Sequence, residues 1–228
     1  MKKIKKEEIY HDNYEWLDTY HHFSFANYYD PNNMNFGDIR VINDDIFKAG
    51  NGFKSHPHKN MEIITYLISG EISHGDDMKN LKTIKPNEVQ YMSAGTGVFH
   101  SEYNHGSEDS RLLQIWINPD KKNYEPVYMD YKYDPKEKNN QFFHLVSKKS
   151  GKGLVKINQD VDIFVGEFDK DTYYEIPSGK KIYGLVIDGK VNINNETLET
   201  RDAFKGEEEE VLFKIEKKSH IMILQTNK

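Results

Sequence analysis

The apolar residues of this chain come in short runs, rich in β-branched side chains and bounded by turn residues, and no stretch carries them at helical spacing. MEIITYLI (61–68) stops at Ser69-Gly70, after which EIS resumes a strand pattern, the signature of a β-hairpin. RLLQIWI (111–117) reads as a buried strand, and Asp188-Gly189 within LVIDGKVN (185–192) as a type I′ hairpin turn. HGDDMKN (74–80) reads as a loop and Pro86-Asn87 as a turn. Residues 14–47 carry two aromatic clusters, with turn signals at Asp30-Pro31-Asn32-Asn33 and Asn35-Phe36-Gly37, and read as short strands and turns. The expected fold class is all-β, built from jelly-roll or barrel modules.

The 228 residues suffice for one large all-β domain or two small ones. YLISGEIS (66–73) aligns on LVIDGKVN (185–192) as strand, two-residue turn and strand, which points to an internal duplication. Residues 118–140 are charged, Pro-containing and Tyr-rich, as a connection between halves would be. The expected division is an N-terminal module over 1–120, a connecting segment over 121–140 and a C-terminal module over 141–228.

Composition removes several function classes. Without cysteine there is no disulfide, no thiolate nucleophile and no Cys-ligated zinc or cluster. A net charge of −6, with lysines spread among acids, offers no field to collect nucleic acid. Aromatic residues at 13% oppose disorder although 30% of the chain is charged. MKKIKKEEIYHD is not followed by an apolar segment, so it does not read as a signal peptide, and runs such as IITYLI are too short to cross a bilayer. The expectation is a cytoplasmic monomer with no membrane or nucleic-acid partner.

The chemistry concentrates between 52 and 104. His56 and His58 are two residues apart, as are His100 and Glu102, so on extended segments each pair projects from one face of its strand. In a chain with ten histidines an H-x-H arises by chance about 0.4 times, so the first pair means little without the second. Facing each other, the pairs would give an N3O set suited to a borderline divalent metal such as iron, nickel, manganese or zinc, with two positions open on a six-coordinate ion. Glu62 shares parity with His56 and His58 on a regular strand and competes with Glu102 for the carboxylate position. His21 and His22 could belong to the site but, among aromatics, read rather as structural; His74 and His105, near loops, could support a ligand from behind but read rather as exposed. At the offset of the duplication His56 falls on Glu175, His58 on Pro177 and Glu62 on Lys181, and His144 and His220 have no neighbouring partner. The second half therefore keeps the scaffold without the ligands. The run Glu207 to Glu210 reads as a solvated loop.

Gly52, His56-x-His58, Glu62 and Gly70 resemble the first cupin motif, and Gly97-x-x-His100-x-x-x-Asn104 the second. HFSFANYYDP, RVINDD, HPHKNMEI, MSAGTGVFHSEYN and LLQIWI resemble the pirin family of bicupins, close to members described as quercetin 2,3-dioxygenases. The likeness spans nearly the whole chain, is strongest over 15–120, and continues through KINQDVDIF and VNINNETL. It departs where Pro86-Asn87 lacks the usual glycine and where Arg201-Asp202 replaces a Gly-Asp turn.

The resemblance implies two cupin domains with one metal, in the N-terminal barrel. It implies His56, His58, His100 and Glu102 as ligands, favouring Glu102 over Glu62. The metal expected is Fe2+, with nickel, manganese, copper, cobalt and zinc as further candidates. The implied activity is opening of a flavonol such as quercetin by O2 with release of carbon monoxide, and Glu102 as catalytic base. The rival class is a non-catalytic, redox-sensing iron protein that acts through protein partners.

Overall fold

The computed structural model of the chain describes residues 1–207 and 210–227. Among these residues there are twenty strands, two short 3-10 turns and no α-helix, as the short apolar runs require. In order the first twelve strands are β1 (Lys2–Ile4), β2 (Tyr10–Asn13), β3 (Leu17–His21), β4 (Ile39–Phe47), β5 (Gly52–His58), β6 (Glu62–Ser69), β7 (Ile72–Asp76), β8 (Leu81–Ile84), β9 (Glu88–Ser93), β10 (Val98–Tyr103), β11 (Ser110–Ile117) and β12 (Val127–Lys132). The rest are β13 (Phe143–Lys148), β14 (Val155–Ile157), β15 (Asp162–Phe168), β16 (Thr172–Glu175), β17 (Lys180–Ile193), β18 (Glu196–Glu199), β19 (Ala203–Glu207) and β20 (Glu210–Asn227).

The chain forms two compact units, one of residues 10–133 and 157–159, the other of 1–9, 134–156 and 160–228. These lines differ from a division at 120 and 140. Residues 1–9 join the second unit because β1 pairs with β19, and the segment after 120 supplies β12, which pairs with β9.

In the first unit a seven-stranded sheet, ordered β12-β9-β6-β11-β4-β3-β2, and a four-stranded sheet, ordered β5-β10-β7-β8, share one core. Leu17, Phe47, Leu67 and Leu112 from the larger sheet pack with Ile72 and Ile84 from the smaller. Each such buried side chain contributes roughly 1.5–3 kcal/mol of transfer free energy. β6 and β11 sit at the middle of the larger sheet and are buried along most of their length, which is why both read as near-continuous apolar runs.

Two turn readings are corrected. Ser69-Gly70 does not close a hairpin, because β6 lies in the larger sheet and β7 in the smaller. Gly70 (φ +75°) turns the chain from one sheet to the other against Ser110, whose Cα would lie 2.7 Å from an added Cβ. Asp188-Gly189 likewise lies inside β17, which continues to Ile193 through register shifts around Asp188 and Lys190. Local turn chemistry signals a change of direction, and tertiary packing decides whether the change is a reversal or a bend.

In the second unit the long strands β17 and β20 pair with each other and carry further partners at both ends, β19 and β18 on β17, β15 and β16 on β20. Their inner faces enclose Phe168, Phe204, Phe213, Ile182, Val191 and Leu198. Glu207 ends β19 and Glu210 opens β20, both exposed; the middle of the expected acidic loop, 208–209, lies outside the described residues.

Candidate metal centre

β5 and β10 are antiparallel neighbours, with His56 directly opposite His100 and His58 opposite Val98. Alternation puts His56 and His58 on one face of β5, and the pairing places His100 beside them. Ring centroids lie 4.5 Å apart for His56–His100, 4.7 Å for His58–His100 and 4.8 Å for His56–His58. One ligand atom from each falls within 4.8 Å of the others, and among the described residues this is the one group of three or more side chains so placed.

Hydrogen bonds decide which nitrogens face the centre. His56 Nδ1 donates to the Lys54 carbonyl at 2.8 Å, leaving Nε2 with its lone pair. His100 Nδ1 lies 3.3 Å from His74 Nδ1, and His74 Nε2 lies 2.9 Å from Asp76 Oδ2. Burial opposes ionisation of Asp76, yet hydrogen bonds from His74 and Asn80 hold its carboxyl below the usual range. Asp76 therefore accepts a hydrogen bond from His74 Nε2–H, His74 Nδ1 accepts from His100 Nδ1, and His100 Nε2 is left as a lone pair.

That atom is buried and has no hydrogen-bond partner. Burial above all, then the charges of neighbouring histidines, pushes His58 and His100 down to about 3, so both are neutral around pH 7. An orphaned buried imidazole nitrogen among two others fits a borderline divalent cation and little else.

Glu102 follows His100 across a β-bulge and is also buried. Its carboxylate accepts from Gln114 Nε2 at 2.7 Å, Thr65 Oγ1 at 3.1 Å and Gln90 Nε2 at 3.3 Å. These donors belong to one cross-strand row of the larger sheet: His21 pairs with Asn43, Asn43 with Gln114, Gln114 with Thr65 and Thr65 with Gln90. Five adjacent strands thus each give one polar side chain to a single line on one face. Glu102 lies outside the three-histidine group but in the wall of the cavity that His56 and His58 also line.

Glu62 is engaged elsewhere. Its oxygens accept from Tyr91 Oη at 2.6 Å, Ser93 Oγ at 2.7 Å and the Asn158 backbone N–H at 2.9 Å, with Asn158 Nδ2 at 3.2 Å. His74 is corrected from an exposed loop histidine to a strand residue with no exposed surface, because β7 runs to Asp76. His105 is exposed, His22 is buried, and His21 lines the cavity without joining the cluster. Sequence reasoning weighed a supporting role for His74 and preferred exposure, and it missed Asp76, Thr65, Gln90 and Gln114; the available signal was polar residues at positions that the strand pattern buries, as in QIW and TYL.

The cavity beside the histidines has a volume of about 130 Å³. Phe25, Phe53, Trp116 and Leu17 make its apolar walls, and Thr19, Asn43, Asp45 and Gln114 its polar ones. It continues into a second hollow that shares Leu17, Thr19, His21, Phe25 and Phe53 and adds Tyr14 and Trp16. Among the described residues no helix is long and apolar enough to cross a membrane.

Residues 3–117 match the family model described as Pirin, and 144–225 the one described as Quercetinase C-terminal cupin domain. Both units are cupin domains. A quercetin 2,3-dioxygenase of Escherichia coli K12 is 41% identical over 201 residues, covering 87% of this chain and 86% of that protein. A pirin-like protein of Caulobacter vibrioides is 37% identical, covering 86% of each. The crystal structure of the Escherichia coli pirin YhhW in complex with nickel(II) superposes with a TM-score of 0.91 at 36% identity, covering 99% of this chain and 98% of that one. Sequence matches in both halves, with a whole-chain structural likeness well above the level that shows fold alone, lead to one conclusion: the chain belongs to the pirin family.

Proposed function

We propose that this protein is a metal-dependent flavonol dioxygenase that opens quercetin or a close relative with O2. The observation that carries the reading is a largely apolar, aromatic-walled cavity directly beside a cluster of three histidines, with a free lone pair on the buried His100 Nε2. Relatives covering most of the chain are quercetin 2,3-dioxygenases, which supports the same reaction. A purely regulatory iron site would need no such cavity, so the enzyme reading is preferred.

His56, His58 and His100 would hold the metal, with Glu102 as the fourth ligand and Fe2+ as the ion. The bound cation supplies Lewis acidity, which favours the deprotonated form of a flavonol hydroxyl. Glu102 is the general base for that proton, its carboxylate aimed by Gln114 and Thr65. Phe25, Phe53 and Trp116 flank the flat substrate, exclude water and fix its orientation, which lowers the entropic part of the barrier.

The test is incubation of the metal-reconstituted protein with quercetin and O2, reading carbon monoxide and loss of the flavonol absorbance. Absence of turnover with iron, nickel, copper, manganese and cobalt alike overturns the reading. Metal analysis of His56→Ala, Glu102→Ala and Glu62→Ala tests the ligand set: metal retained in Glu102→Ala and lost in Glu62→Ala would reverse the carboxylate assignment.

A further inference from the structure

The polar row across the larger sheet is satisfied at one end and unsatisfied at the other. Thr65, Gln90 and Gln114 bond to Glu102. His21 and Asn43, paired directly across β3 and β4, do not: His21 Nδ1 and Asn43 Oδ1 are buried without a hydrogen-bond partner. Both residues are only 3% exposed and both line the cavity. Two neighbouring polar atoms in the same wall are therefore left unpaired, where an unmet buried group is costly.

Both are acceptors. Burial drives the His21 imidazole down to about 4, so the ring is neutral at pH 7. The Phe25 backbone beside it favours the protonated ring, as an acceptor facing a ring N–H does. With Nδ1 unpartnered, that N–H is on Nε2, and Nδ1 offers only a lone pair. Asn43 Oδ1 is an amide oxygen and also accepts. The aromatic contacts of His21 fix its plane: Tyr10 stacks at 5.5 Å and Phe25 meets it edge-on at 5.2 Å.

From this geometry we propose that His21 and Asn43 form a second recognition point for the substrate, accepting hydrogen bonds from aromatic hydroxyls remote from the pair that faces the metal. The cavity then selects polyhydroxylated flavonols over flavonols bearing only the chelating 3-hydroxy-4-keto group. This inference rests on the flavonol reading of the same site. A site built to bond a hydroxyl rejects an analogue lacking it, because the buried acceptors then stay unpaired.

The test is anaerobic titration of the metal-loaded protein, where no turnover occurs, with quercetin and with 3-hydroxyflavone. The wild type should bind quercetin about tenfold or more tightly. His21→Phe, which keeps the stacked ring, and Asn43→Leu, which keeps the volume, should each reduce that preference about fivefold or more while leaving 3-hydroxyflavone affinity within about twofold. Equal affinities in the wild type, or a preference unchanged in both variants, overturns the proposal while the flavonol reading stands. Should a variant fail to fold, wild-type titration of flavonols lacking hydroxyls on one outer ring and then the other decides, since no loss at any position also overturns it. If neither ligand binds the wild type, the flavonol reading falls and this inference with it.

Discussion

His100 Nδ1 lies 3.3 Å from His74 Nδ1, and through His74 the cluster reaches the Asp76 carboxylate, 2.9 Å from His74 Nε2. The chain Asp76–His74–His100 has one consistent proton arrangement, and it leaves His100 Nε2 bare. Orienting partners of this kind change metal affinity by about 10- to 100-fold. His74→Phe, which keeps the stack on Tyr128, and Asp76→Asn should both weaken metal binding by that order, with all three proposed histidine ligands in place. Competition against a chromophoric chelator measures it; unchanged affinity in both variants would show that the pair serves only packing.

Glu62 gives the opposite expectation. Its carboxylate is surrounded by Tyr91, Ser93 and Asn158, and its negative charge, after burial, is what raises the Tyr91 hydroxyl well above its usual range. Glu62→Ala leaves these donors unpaired, at roughly 1–3 kcal/mol for each group that stays buried. The thermal midpoint should fall while bound metal per chain stays at the wild-type value. Loss of metal in a variant that is still folded would count against this division of labour between Glu62 and Glu102.

The difference between these two carboxylates shows what the sequence could and could not convey. Period-two spacing made His56, His58, His100 and Glu102 legible as two strand-borne pairs, and strand pairing sets His56 opposite His100. Parity along one strand made Glu62 look equivalent, but parity says nothing about which sheet a strand joins, and Glu62 lies on β6 in the larger sheet, not on β5. His74 was hidden because HGDD looks like a loop, although pairing with β10 makes it strand. The row from His21 to Gln90 was hidden for a deeper reason. Its five members are scattered from 21 to 114 in the chain, and only the order β3-β4-β11-β6-β9 aligns them.

Gly52, in the first of the two motifs, acts on the site through the backbone. An added Cβ would lie 2.2 Å from the Glu102 carbonyl oxygen and 2.5 Å from Tyr103 Cα, so a side chain there forces β5 away from β10. The histidines on the two strands would separate with it. Gly52→Ala should cost about 1–3 kcal/mol of stability and weaken metal binding, although it touches no ligating side-chain atom. Urea unfolding together with a metal titration checks both, and wild-type values in both would mean the strands shift apart without consequence.

Asp45 lies in the cavity wall, opposite Thr19 across the ladder, and accepts a hydrogen bond from its hydroxyl. Burial first, then the nearby Asp44 and Glu102 charges, raises its carboxyl to about 8 against the Thr19 bond. The folded protein therefore keeps this proton between about pH 4 and 8, where the unfolded chain has lost it. More protons bound in the folded state means that stability falls as pH rises, by up to about 1.4 kcal/mol per pH unit from this group. The contribution is fully present below the unfolded value and gone above the folded one. Asp45→Asn keeps an acceptor for Thr19 and removes the titration, so in metal-free protein its stability relative to wild type should climb from pH 4 to 8 and then level off. Parallel stability profiles for the two proteins, measured by denaturant unfolding across that range, would mean that Asp45 ionises in the folded state as freely as in the unfolded chain.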